Sequence, residues 1–305
     1  MVCDFRPTWL PCNHDEKMIP LFLALLQLQC VAASSSSQKD GPPIAKPHCM
    51  DQCGDVDIPY PFGIGANCSY NASYEINCDY SSHPPKPFLQ HFELEVTDIN
   101  WPGRYSGRDP RRFLGHDTDG QTLTVLTPAR NICGSHGSVG FPSVNFQGSP
   151  FLFSSWFNVF MVENYCGRSV VLRNRMQKIV AGCASVCANQ TGVAKLNTTT
   201  CYGVGCCQAS LIPSPTHDFF LQHMTPRLDF YEITLSHEAL TITSDTCILA
   251  AALIKSDQVV NLAGNLSNLS AFPTVLEWDG SPTAVNWCEF PTEGNPYLPN
   301  GCQGS

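Results

Sequence analysis

Charge is scarce in this sequence. Asp, Glu, Lys and Arg make up only 14% of 305 residues, and they sum to −9 at pH 7. That acidic balance argues against nucleic acid as a partner. Beyond residue 33 no apolar run reaches bilayer-crossing length, so the mature chain is expected to carry no membrane anchor of its own. Helical periodicity is rare as well. Only the stretch from His237 to Ile254 leaves room for a helix. No internal repeat is evident.

Signatures of catalysis are also missing. In "CGSHGSVG", neither Ser135 nor Ser138 has glycines at both minus two and plus two, so there is no nucleophile elbow. A scattered Ser-His-Asp triad is spatial and leaves no mark in sequence order. The "GVG" at 203–205 lacks the third glycine of a dinucleotide loop. The close pairs Cys49/Cys53 and Cys183/Cys187 would permit zinc, yet no histidine pair follows them at finger spacing. The expectation is a non-enzyme with no catalytic residue, no protein-held metal and no cofactor.

Cysteine is what the chain has in plenty, with 17 copies. In "MIPLFLALLQLQCVAASSSS" an apolar run from Ile19 to Leu28 precedes small residues, which reads as a secretory signal cleaved after Ala33. The residues before Met18 are either an extended n-region or upstream of the real start. Cleavage removes three cysteines and leaves Cys49, Cys53, Cys68, Cys78, Cys133, Cys166, Cys183, Cys187, Cys201, Cys206, Cys207, Cys247, Cys288 and Cys302. An even set in an exported chain reads as a disulfide framework whose pairing the sequence leaves open. Adjacent Cys206 and Cys207 are expected to bond to different partners. N-glycosylation sequons at Asn67, Asn71, Asn189, Asn197, Asn265 and Asn268 fit the same extracellular address.

Period-two patterning dominates the mature chain. Phe92, Leu94 and Val96 alternate with Glu93, Glu95 and Thr97, and short β-branched or aromatic runs recur at 121–127, 157–162, 168–174, 178–182 and 228–235. The fold class is all-β or β-dominated, a disulfide-rich extracellular module. The expected organisation is a signal peptide at 1–33, a flexible leader at 34–48, one cysteine-rich domain at 49–190 and a second at 200–302. Charge shifts at that boundary. From Lys86 to Lys178 ten bases face seven acids, whereas from Ile179 onward three bases accompany ten acids.

Two stretches stand out as surfaces. In "CGDVDIPYPFGIG", Ile58, Tyr60 and Phe62 alternate with Pro59 and Pro61, which excludes a helix and the middle of a sheet. It reads as a stiff edge segment whose apolar face packs inside its own module. In "WPGRYSGRDPRR", Arg104, Arg108, Arg111 and Arg112 lie with Trp101 and Tyr105 against the single acid Asp109. Guanidinium forks pair carboxylates bidentately, and Trp and Tyr offer flat faces to a sugar ring. Those six residues are the candidate binding set for an acidic polysaccharide. The plainer reading is a solvated turn whose arginines pair with acids such as Asp117 and Asp119.

"CMDQCGDVDIPYPFGIGANC" resembles the N-terminal cysteine motif of plant wall-associated receptor kinases, in their galacturonan-binding extracellular region. "FNVFMVENYC" (157–166), "GCASVC" (182–187), "CYGVGCCQASLI" (201–212) and "TVLEWDG" (274–280) agree with it in order. The resemblance implies a secreted, apoplastic, glycosylated module that binds pectin, the polygalacturonate of the cell wall, with calcium bridging as a second route. Receptor members continue into a membrane span and a kinase, and this chain is expected to act without one. The alternative is an ectodomain or decoy that recognises a receptor kinase or a peptide.

Overall fold

The computed structural model describes residues 42–101, 121–133, 141–163, 168–186, 201, 203, 206–211, 228–235, 247–255, 269–278 and 292–304. Strands dominate them. The first six are β1 (Gln52–Cys53), β2 (Val56–Asp57), β3 (Gly63–Ile64), β4 (Glu75–Asp79), β5 (Lys86–Leu89) and β6 (Leu94–Asn100). Then come β7 (Thr122–Pro128), β8 (Arg130–Cys133), β9 (Phe141–Pro142), β10 (Phe151–Phe153), β11 (Asn158–Glu163), β12 (Arg168–Asn174) and β13 (Ile179–Ser185). The last are β14 (Cys206–Ser210), β15 (Tyr231–Leu235), β16 (Cys247–Lys255), β17 (Ala271–Trp278), β18 (Thr292–Gly294) and β19 (Cys302–Gly304). The all-β expectation holds, and the alternating runs read from the sequence lie on β6, β7, β11, β12, β13 and β15.

A seven-stranded sheet runs β10-β17-β7-β6-β5-β4-β3, with every pair antiparallel except β3 with β4. Two four-stranded sheets run β14-β11-β16-β8 and β13-β12-β15-β9. Strands from both sides of the expected 190–200 boundary pair directly in all three sheets, as in β17 with β7, β11 with β16 and β12 with β15. The composition shift there is a change of charge and not a break between sheets.

Two further expectations are corrected. The leader to residue 48 is not free along its length: from Pro42 it is packed, with Ala45 buried and the Ile44 carbonyl accepting the N–H of Tyr60 at 2.8 Å. The helix allowed between His237 and Ile254 is a strand from Cys247 on. Its alanines favour helix locally, but the run pairs on both edges, with β11 and β8.

The IPYPF stretch sits at the sheet edge and is core. Ile58, Tyr60 and Phe62 are buried, and the chain reaches them through a turn in which Phe62 N–H donates to the Pro59 carbonyl at 2.9 Å. Gly63 is required next. A Cβ there would lie 2.2 Å from the Cys68 carbonyl carbon, a backbone atom that cannot step aside. Phe62 then meets Tyr74 at 5.2 Å, Trp278 at 5.5 Å and Phe151 at 6.2 Å between ring centroids. The aromatic series continues through Phe92, Phe146 and Phe153 to Tyr231.

Sulfur ties the strands. Cys49–Cys68 and Cys53–Cys78 fasten the first hairpin to the sheet edge, and Cys183–Cys207 and Cys201–Cys206 serve the later strands. Cys206 and Cys207 do take different partners. Cys302 is also disulfide-bonded. Cys133 and Cys247 are direct cross-strand neighbours on β8 and β16, while Cys166, Cys187 and Cys288 lie outside the described residues.

Phe62→Ala should destabilise the oxidised protein by about 3–5 kcal/mol in denaturant unfolding, because the ring is fully enclosed. Removing Cys53–Cys78, which closes a 25-residue separation, should cost about 3.5 kcal/mol. Removing Cys201–Cys206, with a separation of 5, should cost about 2 kcal/mol in the same measurement.

Candidate functional site

Residues 42–101 hold eight acids against two lysines. Both lysines are engaged. Lys46 Nζ donates to the carbonyls of Asn67 and Ser69, each at 3.0 Å, and lies 4.7 Å from the Tyr60 ring centre. Lys86 Nζ pairs with Glu95 Oε2 at 3.0 Å across β5 and β6. Among the acids, Asp79 is held below the usual carboxylate range by Ser81, which donates to it from its backbone N–H and its hydroxyl at 2.8 and 2.9 Å. This part of the molecule presents negative charge, so recognition of a polyanion needs cations from elsewhere.

The base-rich segment is the nearest source in sequence. It begins where β6 ends and returns at β7, and Asn100 and Thr122 are directly paired, with Asn100 Nδ2 donating to Thr122 Oγ1 at 3.1 Å. The two ends of the segment are therefore fixed side by side on the seven-stranded sheet. Arg104, Tyr105, Arg108, Arg111 and Arg112 lie outside the described residues. Trp101 does not fit the role read for it. It is 6% exposed and belongs to the hydrophobic core, so its ring faces pack against protein. Alternation explains this: beyond the irregularity between Val96 and Asp98, Ile99 and Trp101 continue the inward set of Leu94 and Val96.

Asn67 and Asn71 are both exposed. Asn71 Oδ1 caps the short turn Ala72–Tyr74 by accepting the Ser73 N–H at 2.9 Å. Asn189, Asn197, Asn265 and Asn268 fall outside the described residues. No cluster of three metal-ligating side chains occurs among the described residues. No helix among them is long and apolar enough to cross a membrane.

One polar arrangement was not visible in the sequence. The paired row Asn100, Thr122, Glu277 and Leu152 crosses four strands, and Glu277 Oε1 accepts the Ser154 hydroxyl at 2.6 Å. Burial pushes the Glu277 carboxyl up, and the hydrogen bond from Ser154 pulls partly the other way. Asn158 fills the neighbouring space, with Nδ2 donating to the carbonyls of Ser154 at 2.8 Å and Val275 at 2.7 Å. A Ser, an Asn and a Glu so far apart in the chain give no local signal of meeting.

A carboxyl whose folded pKa lies above its unfolded value contributes stability that is complete below the unfolded pKa and is lost as pH rises through the folded one. Wild-type stability should therefore fall from about pH 4.3 upward through the folded pKa of Glu277. Glu277→Gln keeps an acceptor for Ser154 and should flatten that slope in unfolding measured across pH.

Residues 49–104 match the family model described as wall-associated receptor kinase galacturonan-binding. Among curated proteins, wall-associated receptor kinase-like 17 of Arabidopsis thaliana is 33% identical over 229 residues, 67% of this chain and 27% of the relative. Wall-associated receptor kinase-like 10 of the same plant is 29% identical over 224 residues, 65% and 26% respectively. Wall-associated receptor kinase 5 aligns with 95% of this chain and 38% of its own length at 25% identity. The chain thus spans about a quarter to two fifths of the length of these relatives. No solved structure matches it. Over residues 49–104 this chain carries the galacturonan-binding region of the wall-associated receptor kinase family.

Proposed function

We propose that the chain is an exported module that binds de-esterified pectin without chemical turnover. The family match over residues 49–104 carries the reading. The two lysines of residues 42–101 are committed to a carbonyl pair and to Glu95. In this reading uronate carboxylates pair with Arg104, Arg108, Arg111 and Arg112, the bases that follow the matched strands in sequence. Tyr105 supplies a ring, while Trp101 anchors the start of the segment in the core. Exposed ion pairs contribute about 0.2–1 kcal/mol each, so useful affinity requires several contacts along a polymer. The acid surplus between residues 42 and 101 also favours a route in which calcium bridges protein and polymer carboxylates.

One observation supports protein recognition as a second reading. The tip of the β12–β13 hairpin exposes Met176 at 73% and Ile179 at 48%, beside the exposed bases Arg175 and Lys178. A partner bound there would be indifferent to pectin esterification.

Binding of the oxidised protein to polygalacturonate and to methyl-esterified pectin across a salt series separates the readings. Binding should weaken with salt and with esterification. Alanine at all four arginines should weaken it roughly tenfold to several-hundredfold. A chelator that abolishes binding would assign the calcium route. Equal binding to both polymers, or none to either, would refute the polyuronate reading.

A further inference from the structure

Pectin binding makes no use of the six sequons, and two of them, at Asn67 and Asn71, stand on the crossover from β3 to β4. Both asparagines are exposed. Their local structures differ. Asn71 is extended, at φ −155° and ψ 178°, and its Oδ1 accepts the Ser73 N–H at 2.9 Å. Among the described residues its Nδ2 makes no hydrogen bond. Nδ2 is the atom that takes a sugar, and a glycosylated amide keeps its Oδ1, so the cap on Ala72–Tyr74 is compatible with modification. Asn67 lies at φ 64° in a turn where the Cys68 N–H donates to the Gly65 carbonyl at 3.3 Å. Cys68, the middle residue of its triplet, is buried and bonded to Cys49. Lys46 Nζ holds the carbonyls of Asn67 and Ser69 on either side of it.

We propose that Asn71 carries an N-linked glycan in the mature protein, and that closure of Cys49–Cys68 limits modification of Asn67. The inference takes export from the proposed function and is independent of pectin binding. The donor class is an oligosaccharide on a lipid pyrophosphate. Asn71 Nδ2 bonds to the anomeric carbon, and the bond from that carbon to the pyrophosphate oxygen breaks with its electron pair. The amide proton passes to a base on the transferase. A sequon is read as a triplet, so the amide and the hydroxyl two residues on must be presented together. The Asn71 triplet contains no cysteine, and its centre, Ala72, is exposed. At Asn67 sulfur competes. Cys49 lies 19 residues before Cys68, so both thiols are available as soon as the triplet is made. A disulfide-bonded exchange partner takes their two electrons and two protons, is itself reduced to a dithiol, and leaves Asn67–Ser69 bent around the bridge. Sugar transfer to Asn67 must come before that step. Transfer to Asn71 need not.

The full chain is expressed in plant cells, and each sequon is read by mass spectrometry after an amidase has turned glycosylated Asn into Asp in oxygen-labelled water. Wild-type protein from the medium should carry a glycan on Asn71 in most molecules and on Asn67 in a smaller fraction. Asn71→Asp keeps an acceptor for the Ser73 N–H, and Ser73→Ala keeps the cap while removing the hydroxyl. Each should lose one glycan's mass, and Ser73→Ala decides the matter if the Asp variant folds poorly. Cys49→Ser, and separately wild type grown with a permeant dithiol, should raise the Asn67 fraction and leave Asn71 unchanged. Both are read in cells and medium together, so that retention inside the cell does not matter. A secreted chain with Asn71 bare overturns the site and leaves export standing. Equal occupancy of the two sites in wild type, or an Asn67 fraction that neither treatment moves, overturns the competition. A chain that never reaches the medium and carries no glycan overturns export along with the site.

Discussion

Phe62 brings together Tyr74, Phe151 and Trp278, rings drawn from distant parts of the chain. Each belongs to a different part of the architecture: Tyr74 precedes β4, Phe151 opens β10 and Trp278 closes β17. The seven-stranded sheet is held at both edges by this one cluster, because β3 and β10 are its outermost strands. Large aromatic rings suit that task, since each buries enough area to join several elements at once. The prolines flanking Tyr60 narrow the unfolded ensemble of the segment that delivers Phe62.

That arrangement separates stability from recognition. The IPYPF face, Trp101 and the paired lysines are all consumed in holding the module together. What remains outward on residues 49–101 is mostly neutral, and its exposed charges are Asp51, Asp55 and Glu93 against Lys86 alone. The base-rich segment between β6 and β7 starts and ends on the Asn100–Thr122 pair, which keeps its two ends adjacent. A segment held between two fixed strand ends can be substituted without touching the core.

Much of the fold was legible in the sequence because period-two alternation and paired cysteines are local signals. β12 could be read to the residue from "RSVVLRN", and the IPYPF segment was read as packing inside its own module, though Pro59 and Pro61 are buried together with Ile58, Tyr60 and Phe62. The misreadings share a cause. The alanines of β16 favour a helix until β11 and β8 supply hydrogen-bond partners, and the leader reads as polar chain until Ile44 finds Tyr60. Trp101 sat beside four arginines in sequence, but it continues the inward row of β6 in space. Of the candidate site, composition alone could flag the arginines. The Ser154–Glu277–Asn158 arrangement depends on contacts across 123 and 117 residues, which no window of sequence contains.

Asn295 donates through Nδ2 to the Ile44 and Tyr60 carbonyls, both at 2.7 Å, across 251 and 235 residues. A late segment of the packed unit therefore clasps an early one. Loop-closure entropy makes contacts of such separation slow to form. In a chain made from its amino terminus, Cys49, Cys53, Cys68 and Cys78 are all in place before this amide can complete the shell around the YPF turn. The stretch around Asn295 would then act as a latch, and maturation of the amino-terminal module would await its synthesis.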